Sequence, residues 1–315
     1  MSSAGGNVIE VRNLTKHFFR GLFRRECVKA VDGVSFHIPE GESLGLIGES
    51  GSGKSTLGRC MLRLIEPSDG QICFQGKDIL AMNGNLIRLR QKMQIIFQDT
   101  AGSLNPRMKV KDLLLEPLRV HKLLNGQIIE TAAELMKQVH LSADLLDRYP
   151  NELSGGQRQR IGIARAISIN PEFIIADEAI ASMDVLGQAQ MIELMNRLKS
   201  ERGISFLNIS HNIGSIRRIT DRLAVMYFGR FVEIGNTKDI LNNPAHPYTQ
   251  ILLSAKLKSD SSSDSDSITE DILHHTSGCL FYQRCFQAKS VCRYELPPQR
   301  CAGSDHRVWC HLSSG

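Results

Sequence analysis

Ser43-Leu-Gly-Leu-Ile47 runs directly into Gly48-Glu-Ser-Gly-Ser-Gly53-Lys54-Ser55-Thr56, an apolar run followed by a glycine-rich loop. The run reads as a buried strand, the glycines as a tight turn, and the residues from Lys54 toward Leu64 as a helix. The spacing fits G-x-x-x-x-G-K-[ST], the pattern of a phosphate-binding loop. Its chemistry follows from its parts. Gly48, Gly51 and Gly53 let the backbone of Glu49, Ser50 and Ser52 turn sharply and aim N–H groups inward, and the helix start at Lys54 adds positive potential. Lys54 can reach the β- and γ-phosphates, the hydroxyl of Ser55 can ligate Mg²⁺, and Thr56 follows in the same turn. A chance glycine turn would not need a strand before it and a helix after it, so the stretch implies a bound nucleoside triphosphate.

The rest of the composition sets bounds. The chain has 315 residues, 42% hydrophobic and 23% charged, enough for one large or two medium domains with full cores. No apolar run approaches a membrane span, and Met1 to Gly6 lacks the apolar core of an export signal, so a cytosolic chain is expected. A net charge of +5 is modest and demands neither nucleic acid nor an anionic membrane. Five of the eight cysteines fall after Gly278, which raises metal chemistry rather than disulfides as the question.

Outward from the loop, Val8 to Val11 and Val34 to Ile38 read as strands flanking a basic insertion, Arg20 to Arg25. Phe18, just before that insertion, is expected to stack on the adenine ring, an ordinary core or edge aromatic being the alternative. Residues 71 to 80 look like a hairpin, and Met93 to Phe97 a short strand ending at Gln98. From about Val110 to Leu146 the apolar spacing turns helical, which suggests a helical subdomain at about 99–165. Phe173 to Ala176 is a short apolar strand that delivers Asp177 and Glu178 at its tip, where open α/β sheets place ligands. Ser205 to Ile209 is another, ending at Ser210 and His211, and Arg222 to Ile234 reads as a hairpin turning at Gly229. Ser259 to Ser267 alternates Ser and Asp, cannot bury apolar area, and is expected to be a flexible linker over 256–270, before a tail at 271–315.

Several motifs stand in a fixed order: the loop at 48–55, Gln98, Leu153-Ser154-Gly155-Gly156-Gln157, Asp177-Glu178, then His211. This order resembles the ATP-binding subunits of ABC transporters over roughly residues 7 to 255. The resemblance implies an α/β ATPase core, a mixed sheet with flanking helices and an inserted helical subdomain. It implies that Ser55, Gln98 and Asp177 serve Mg²⁺, that Glu178 is the general base, and that His211 contacts the γ-phosphate. Taken alone, Leu153 to Gln157 would be a serine-capped helix start; in this family it caps the γ-phosphate of a partner subunit. Catalysis would then need a head-to-tail dimer, a heterodimer ahead of a homodimer, with two ATP molecules at the interface.

Val28 to Phe36, Ser103 to Arg107 and Asn243-Pro-Ala-His246-Pro-Tyr248-Thr249 resemble the oligopeptide/dipeptide/nickel importer branch. So does Gly278-Cys279-x-Phe281-x-x-Arg284-Cys285, followed by Cys292 and Cys310. The branch implies an ATPase on the cytoplasmic face of a bacterial inner membrane, working with two permease subunits and a periplasmic binding protein to import peptides, with nickel as the alternative. In some members the tail cysteines hold an iron–sulfur cluster. Spacing alone favours free buried thiols, but the shortness of the tail and the resemblance point to a [4Fe–4S] cluster, or zinc, on Cys279, Cys285, Cys292 and Cys310, with Cys301 a bystander. One departure stands out. Where the family has Pro-x-Ser-Ala-Leu-Asp, this chain has Ala179-Ile-Ala181-Ser182-Met183-Asp184, which admits a catalytically weak regulatory subunit. A non-transport ABC ATPase acting on DNA or ribosomes would carry a coiled coil or a second such domain, and neither is visible, so no nucleic-acid partner is expected.

Overall fold

The computed structural model describes residues 6–20, 26–82, 84, 86–98, 100–124, 126–180, 183–257, 277–303 and 305–312. The basic insertion at 21–25, positions 181 and 182 of the altered run, and the Ser/Asp-rich stretch lie outside the described residues, so the linker expectation is not addressed.

Two sheets organise the chain. Asn7–Arg20 (β1) and Glu26–Pro39 (β2) form a long antiparallel hairpin, joined across β1 by Asp69–Phe74 (β4), which pairs in turn with Lys77–Asp78 (β5). The second sheet starts from Ser43–Ile47 (β3), Met93–Ile96 (β6), Phe173–Asp177 (β7), Ser205–Ile209 (β8) and Arg222–Tyr227 (β9), which run parallel in the order β9-β3-β8-β7-β6. Every residue of β3, β7, β8 and β9 is buried, as their near-continuous apolar sequence demands for parallel strands covered on both faces. Arg230–Asn236 (β10) adds antiparallel to β9, and the tail closes the edge with Gln299–Gly303 (β11) and His306–Trp309 (β12), β12 pairing with β10. The tail hairpin is therefore part of the core sheet.

Helices cover these sheets. Lys54–Met61 (α1) follows the phosphate-type loop, and Ile87–Lys92 (α2) leads into β6. Between β6 and β7 the chain is helical: Thr100–Ser103 (α3), Val110–Val120 (α4), Ile128–Gln138 (α5) and Gly155–Ile167 (α6). Leu113, Leu114, Leu118, Leu135, Met136, Ile161 and Ala164 share one core there with Ile174 of β7, which fixes that layer on the edge of the parallel sheet. Val185–Arg202 (α7) and Ile213–Ile219 (α8) follow β7 and β8, and Thr237–Asn242 (α9) and Pro247–Leu257 (α10) follow β10. Among the described residues no helix is long and apolar enough to cross a membrane.

Candidate nucleotide site

Parallel strands end on the same side, and that rule assembles the site. The residues that follow β6, β7, β8 and β3 are Gln98, Glu178, Ser210-His211 and the glycine loop, so four separate sequence motifs meet at one sheet edge. An open cleft of about 1250 Å³ lies there, lined by Gly48, Ser50, Gly51, Gly53, Lys54, Ser55, Thr56, Gln98, Glu178 and His211.

Two of the loop's glycines are required by space. A Cβ at Gly53, whose φ is +103°, would sit 2.0 Å from the carbonyl oxygen of Ala30, and one at Gly48 would sit 2.2 Å from that of Met226. Lys54 is buried, and its ammonium donates to the carbonyl oxygens of Gly48 (3.0 Å) and Glu49 (2.7 Å) and to Ser52 Oγ (3.1 Å). Burial lowers its pKa, opposed by the charges of Glu178, Asp177 and Glu49. An incoming phosphate would take over the bonds this cation now makes to its own loop.

Asp177 is also buried, and burial raises its pKa against the hydrogen bond that its Oδ1 accepts from Ser55 Oγ at 3.1 Å. A buried carboxylate and a hydroxyl converging from two elements are hard oxygen donors, the chemistry that suits Mg²⁺. Next to it Glu178 adopts φ +49°, unusual for a residue with a Cβ, while its N–H donates to the carbonyl of Ile209 (2.9 Å). Its carboxylate is held from both sides: Oε2 accepts from Gln98 Nε2 at 2.9 Å, and Oε1 lies 3.1 Å from His211 Nδ1. A carboxylate oriented in this way can accept a proton from a water in the cleft.

Ser154, Gly155, Gly156 and Gln157 stand outside this cleft. Ser154 caps α6, its Oγ accepting from the Gln157 N–H (3.2 Å) while the Gln157 side chain accepts from the Ser154 N–H (2.9 Å). Ser154 and Gly155 are exposed, and neither lines the cleft. In the altered run, Ala179, Ile180 and Met183 are buried in the core shared with the helical layer, and Asp184 caps α7 through the Gly187 N–H at 2.7 Å.

Phe18 does not line the cleft. It sits in β1 opposite Val28, partly exposed, with Lys16 Nζ 5.0 Å from its ring centroid. Val28 lines the cleft instead, together with Phe228 and, from the tail, Leu280 and Leu296. Two further supports went unassigned in the sequence. Tyr248 Oη accepts from the Glu49 N–H at 2.8 Å, and the Tyr248 N–H donates to His246 Nδ1 at 3.0 Å. Arg284 of the tail pairs in a fork with the Glu49 carboxylate, Nη1 to Oε2 and Nη2 to Oε1 both at 2.9 Å. Both residues belong to stretches whose composition marks them, Asn243 to Thr249 and Gly278 to Cys285, but no local pattern reveals what they touch.

The tail cysteines were expected to hold a metal. Cys279, Cys285, Cys292 and Cys310 lie within electrostatic reach of one another, and the Cys279 N–H donates to the carbonyl of Cys292 at 2.8 Å. Yet Cys279 and Cys285 pack against the apolar cluster around Tyr248 and Phe281, and burial pushes the Cys279 thiol up to about 11. Among the described residues no group of three or more His, Cys, Asp or Glu is placed to hold a metal ion. The thiols as arranged are apolar packing groups, and the geometry gives the implied iron–sulfur cluster, or zinc, no support. Cys301 is exposed on β11.

Comparison with known proteins agrees with this geometry. A family model described as ABC transporter matches residues 31–181, and one described as the oligopeptide/dipeptide transporter C-terminal region matches residues 232–292. The oligopeptide transport ATP-binding protein AppF of Bacillus subtilis is 43% identical over 98% of this chain and 98% of its own length. OppF of Streptococcus mutans is 49% identical over 79% of this chain and 81% of its own length. Among solved structures, the dimeric ATP-binding cassette MJ0796 in a post-hydrolysis state with ADP and Pi superimposes with a TM-score of 0.67 at 27% identity, covering 73% of this chain and 98% of that one.

Proposed function

Because this chain belongs to the ABC transporter family and carries the oligopeptide-importer C-terminal region, we propose that it is the ATP-hydrolysing subunit of a peptide importer. The observation that carries this is the meeting of Lys54, Ser55, Asp177, Glu178, His211 and Gln98 at one edge of a parallel sheet. Curated relatives over 98% and 79% of this chain are named as oligopeptide transport ATP-binding proteins, which supports peptides ahead of nickel.

In the proposed cycle, ATP enters the cleft with its phosphates over the glycine loop, where Lys54 exchanges loop carbonyls for phosphate oxygens. Ser55, Asp177 and Gln98 would hold Mg²⁺, which supplies charge neutralisation across the phosphates when bound. Glu178, oriented by Gln98 and His211, takes the proton of the attacking water as the bond to the γ-phosphorus forms and the β–γ bridge breaks. His211 turns its imidazole to the γ-phosphate as an electrostatic partner. The base of the nucleotide would lie toward Val28, Phe228, Leu280 and Leu296, with Phe18 the aromatic expected to stack on it.

The exposed, capped start of α6 at Ser154 to Gln157 would serve the γ-phosphate of a homologous subunit in a head-to-tail dimer. That dimer would drive two permease subunits at the cytoplasmic face of an inner membrane, supplied by a periplasmic binding protein. No step is assigned to a metal at the tail cysteines. The test is Glu178→Gln, which removes the base but keeps the volume: hydrolysis should slow by about a hundredfold or more. ATP binding should persist, and an ATP-dependent dimer should accumulate on size exclusion. Wild-type turnover by this variant would refute the assignment.

A further inference from the structure

Glu49 is the single acidic residue of the glycine loop from Gly48 to Thr56. A carboxylate there is an electrostatic liability, because the loop receives a polyanion and like charges close together disfavour binding. Its charge reaches the site, for it is one of the groups acting on Lys54. Arg284 cancels it. The guanidinium makes a two-bond fork with the carboxylate at 2.9 Å for each bond, and lies 3.5 Å from Tyr227 Oη. It also lies over two rings, 6.0 Å from the Tyr227 centroid and 5.7 Å from that of Phe281.

The arginine is placed by an anchor. Phe281, three residues earlier, is buried in the aromatic cluster of Tyr227 and Tyr248, with centroids 5.3 Å and 5.4 Å away. The short 3-10 turn Tyr282–Arg284 then carries Arg284 up to the loop. Glu49 is thereby fixed through each of its polar groups: its N–H by Tyr248, its carbonyl by Lys54 and its carboxylate by Arg284. The pair is partly exposed, 35% and 38% of the side chains, so its direct contribution to folding is small. Its effect falls on the charge and shape of the loop.

We propose that the cysteine-rich tail is a working part of the nucleotide site of its own chain, with Arg284 the positioning residue that neutralises Glu49 and sets the glycine loop for ATP. This rests on the nucleotide reading of the cleft. It assigns the tail a role in nucleotide affinity that needs no metal.

The test is ATP binding by titration calorimetry on the full-length protein with Mg²⁺, beside ATPase kinetics in the assembled transporter. Arg284→Ala should weaken binding about five- to twentyfold, the scale of one partly screened charge near a polyanion. KM should rise while kcat at saturating ATP holds. Arg284→Lys should fall between, since it restores charge without the fork. Glu49→Gln added to Arg284→Ala should recover most of the lost affinity, because the liability is gone. Trp309, the only tryptophan, sits in the tail strand β12, so unchanged emission shows that the tail stays docked. Should Arg284→Ala disturb it, Arg284→Gln, which keeps more of the side chain, carries the same comparison. Two results overturn the inference: wild-type affinity in the arginine variants while Lys54→Ala loses ATP, or a loss that Glu49→Gln leaves uncorrected, which makes Arg284 an anchor only. Intact binding in Lys54→Ala would instead overturn the nucleotide reading beneath it.

Discussion

Replacing His306 by alanine should loosen the join between tail and core. Glu233 lies in β10 with no exposed surface. Its carboxylate accepts from the N–H groups of Ala245 (2.7 Å) and His246 (3.1 Å), and Oε1 faces His306 Nε2 of β12 at 2.6 Å. Removing the partner of a buried hydrogen bond to a carboxyl group costs roughly 1.5–3 kcal/mol, because the group left behind stays buried. The His306 contact is the shortest of the three that Glu233 makes, so the upper end, about 3 kcal/mol, is the appropriate figure. At about 2–4 °C per kcal/mol for a chain of this size, the melting temperature should fall by about 6–12 °C. Trp309 stands three residues beyond His306 and is the chain's only tryptophan, so its emission follows the melt of this strand without added label. His306→Gln, which keeps an N–H donor, should lose about half as much. A thermal midpoint within a degree of wild type for His306→Ala would show that Glu233 does not depend on the tail, and the reasoning fails.

Further outcomes follow from neighbouring groups. Burial pushes the pKa of His246 down to about 4 from the usual range near 6.5. The unfolded chain therefore takes up this proton first: the stability tied to neutral His246 is fully present above about pH 6.5 and is lost as pH falls toward about 4. Urea midpoints at pH 7.5 and 5 should differ less in His246→Gln than in wild type, and an equal difference would contradict the assignment. Tyr248→Phe keeps the ring against Tyr227 and Phe281 but leaves the Glu49 N–H without its acceptor, at a cost of about 1–3 kcal/mol. ATP affinity measured by calorimetry should drop with little change in the far-ultraviolet circular dichroism, whereas unchanged affinity would separate this tyrosine from the loop.

How much of this was legible in the sequence depends on how far each residue's partner lies along the chain. The glycine loop, Asp177-Glu178 and His211 each follow an apolar run. Once such runs are parallel neighbours their ends must meet, so the convergence of these residues on one edge was readable without the sheet order. The surroundings of Phe18 were not legible, because they depend on hairpin register. The structure sets it opposite Val28, and Val28 faces the cleft. Arg284 and Tyr248 touch Glu49 across 235 and 199 residues, distances over which no local pattern carries information. For the cysteines, spacing alone favoured buried thiols and the resemblance suggested ligands, and the structure packs Cys279 and Cys285 against an apolar cluster. The altered run after Glu178 proved partly structural: Ala179, Ile180 and Met183 fill core positions while Asp184 keeps its cap on α7.

The central claim is that ATP hydrolysis at this cleft drives peptide uptake, and it is tested most directly by uptake of a labelled oligopeptide in cells that carry the importer with Lys54→Ala in this chain. Lys54 is the buried cation whose bonds to Gly48, Glu49 and Ser52 are to be exchanged for phosphate. The account predicts that uptake falls to background, with the protein present at wild-type levels and ATP binding by the purified chain weakened about tenfold or more. Normal peptide uptake by the variant, with ATP bound as tightly as before, would contradict it.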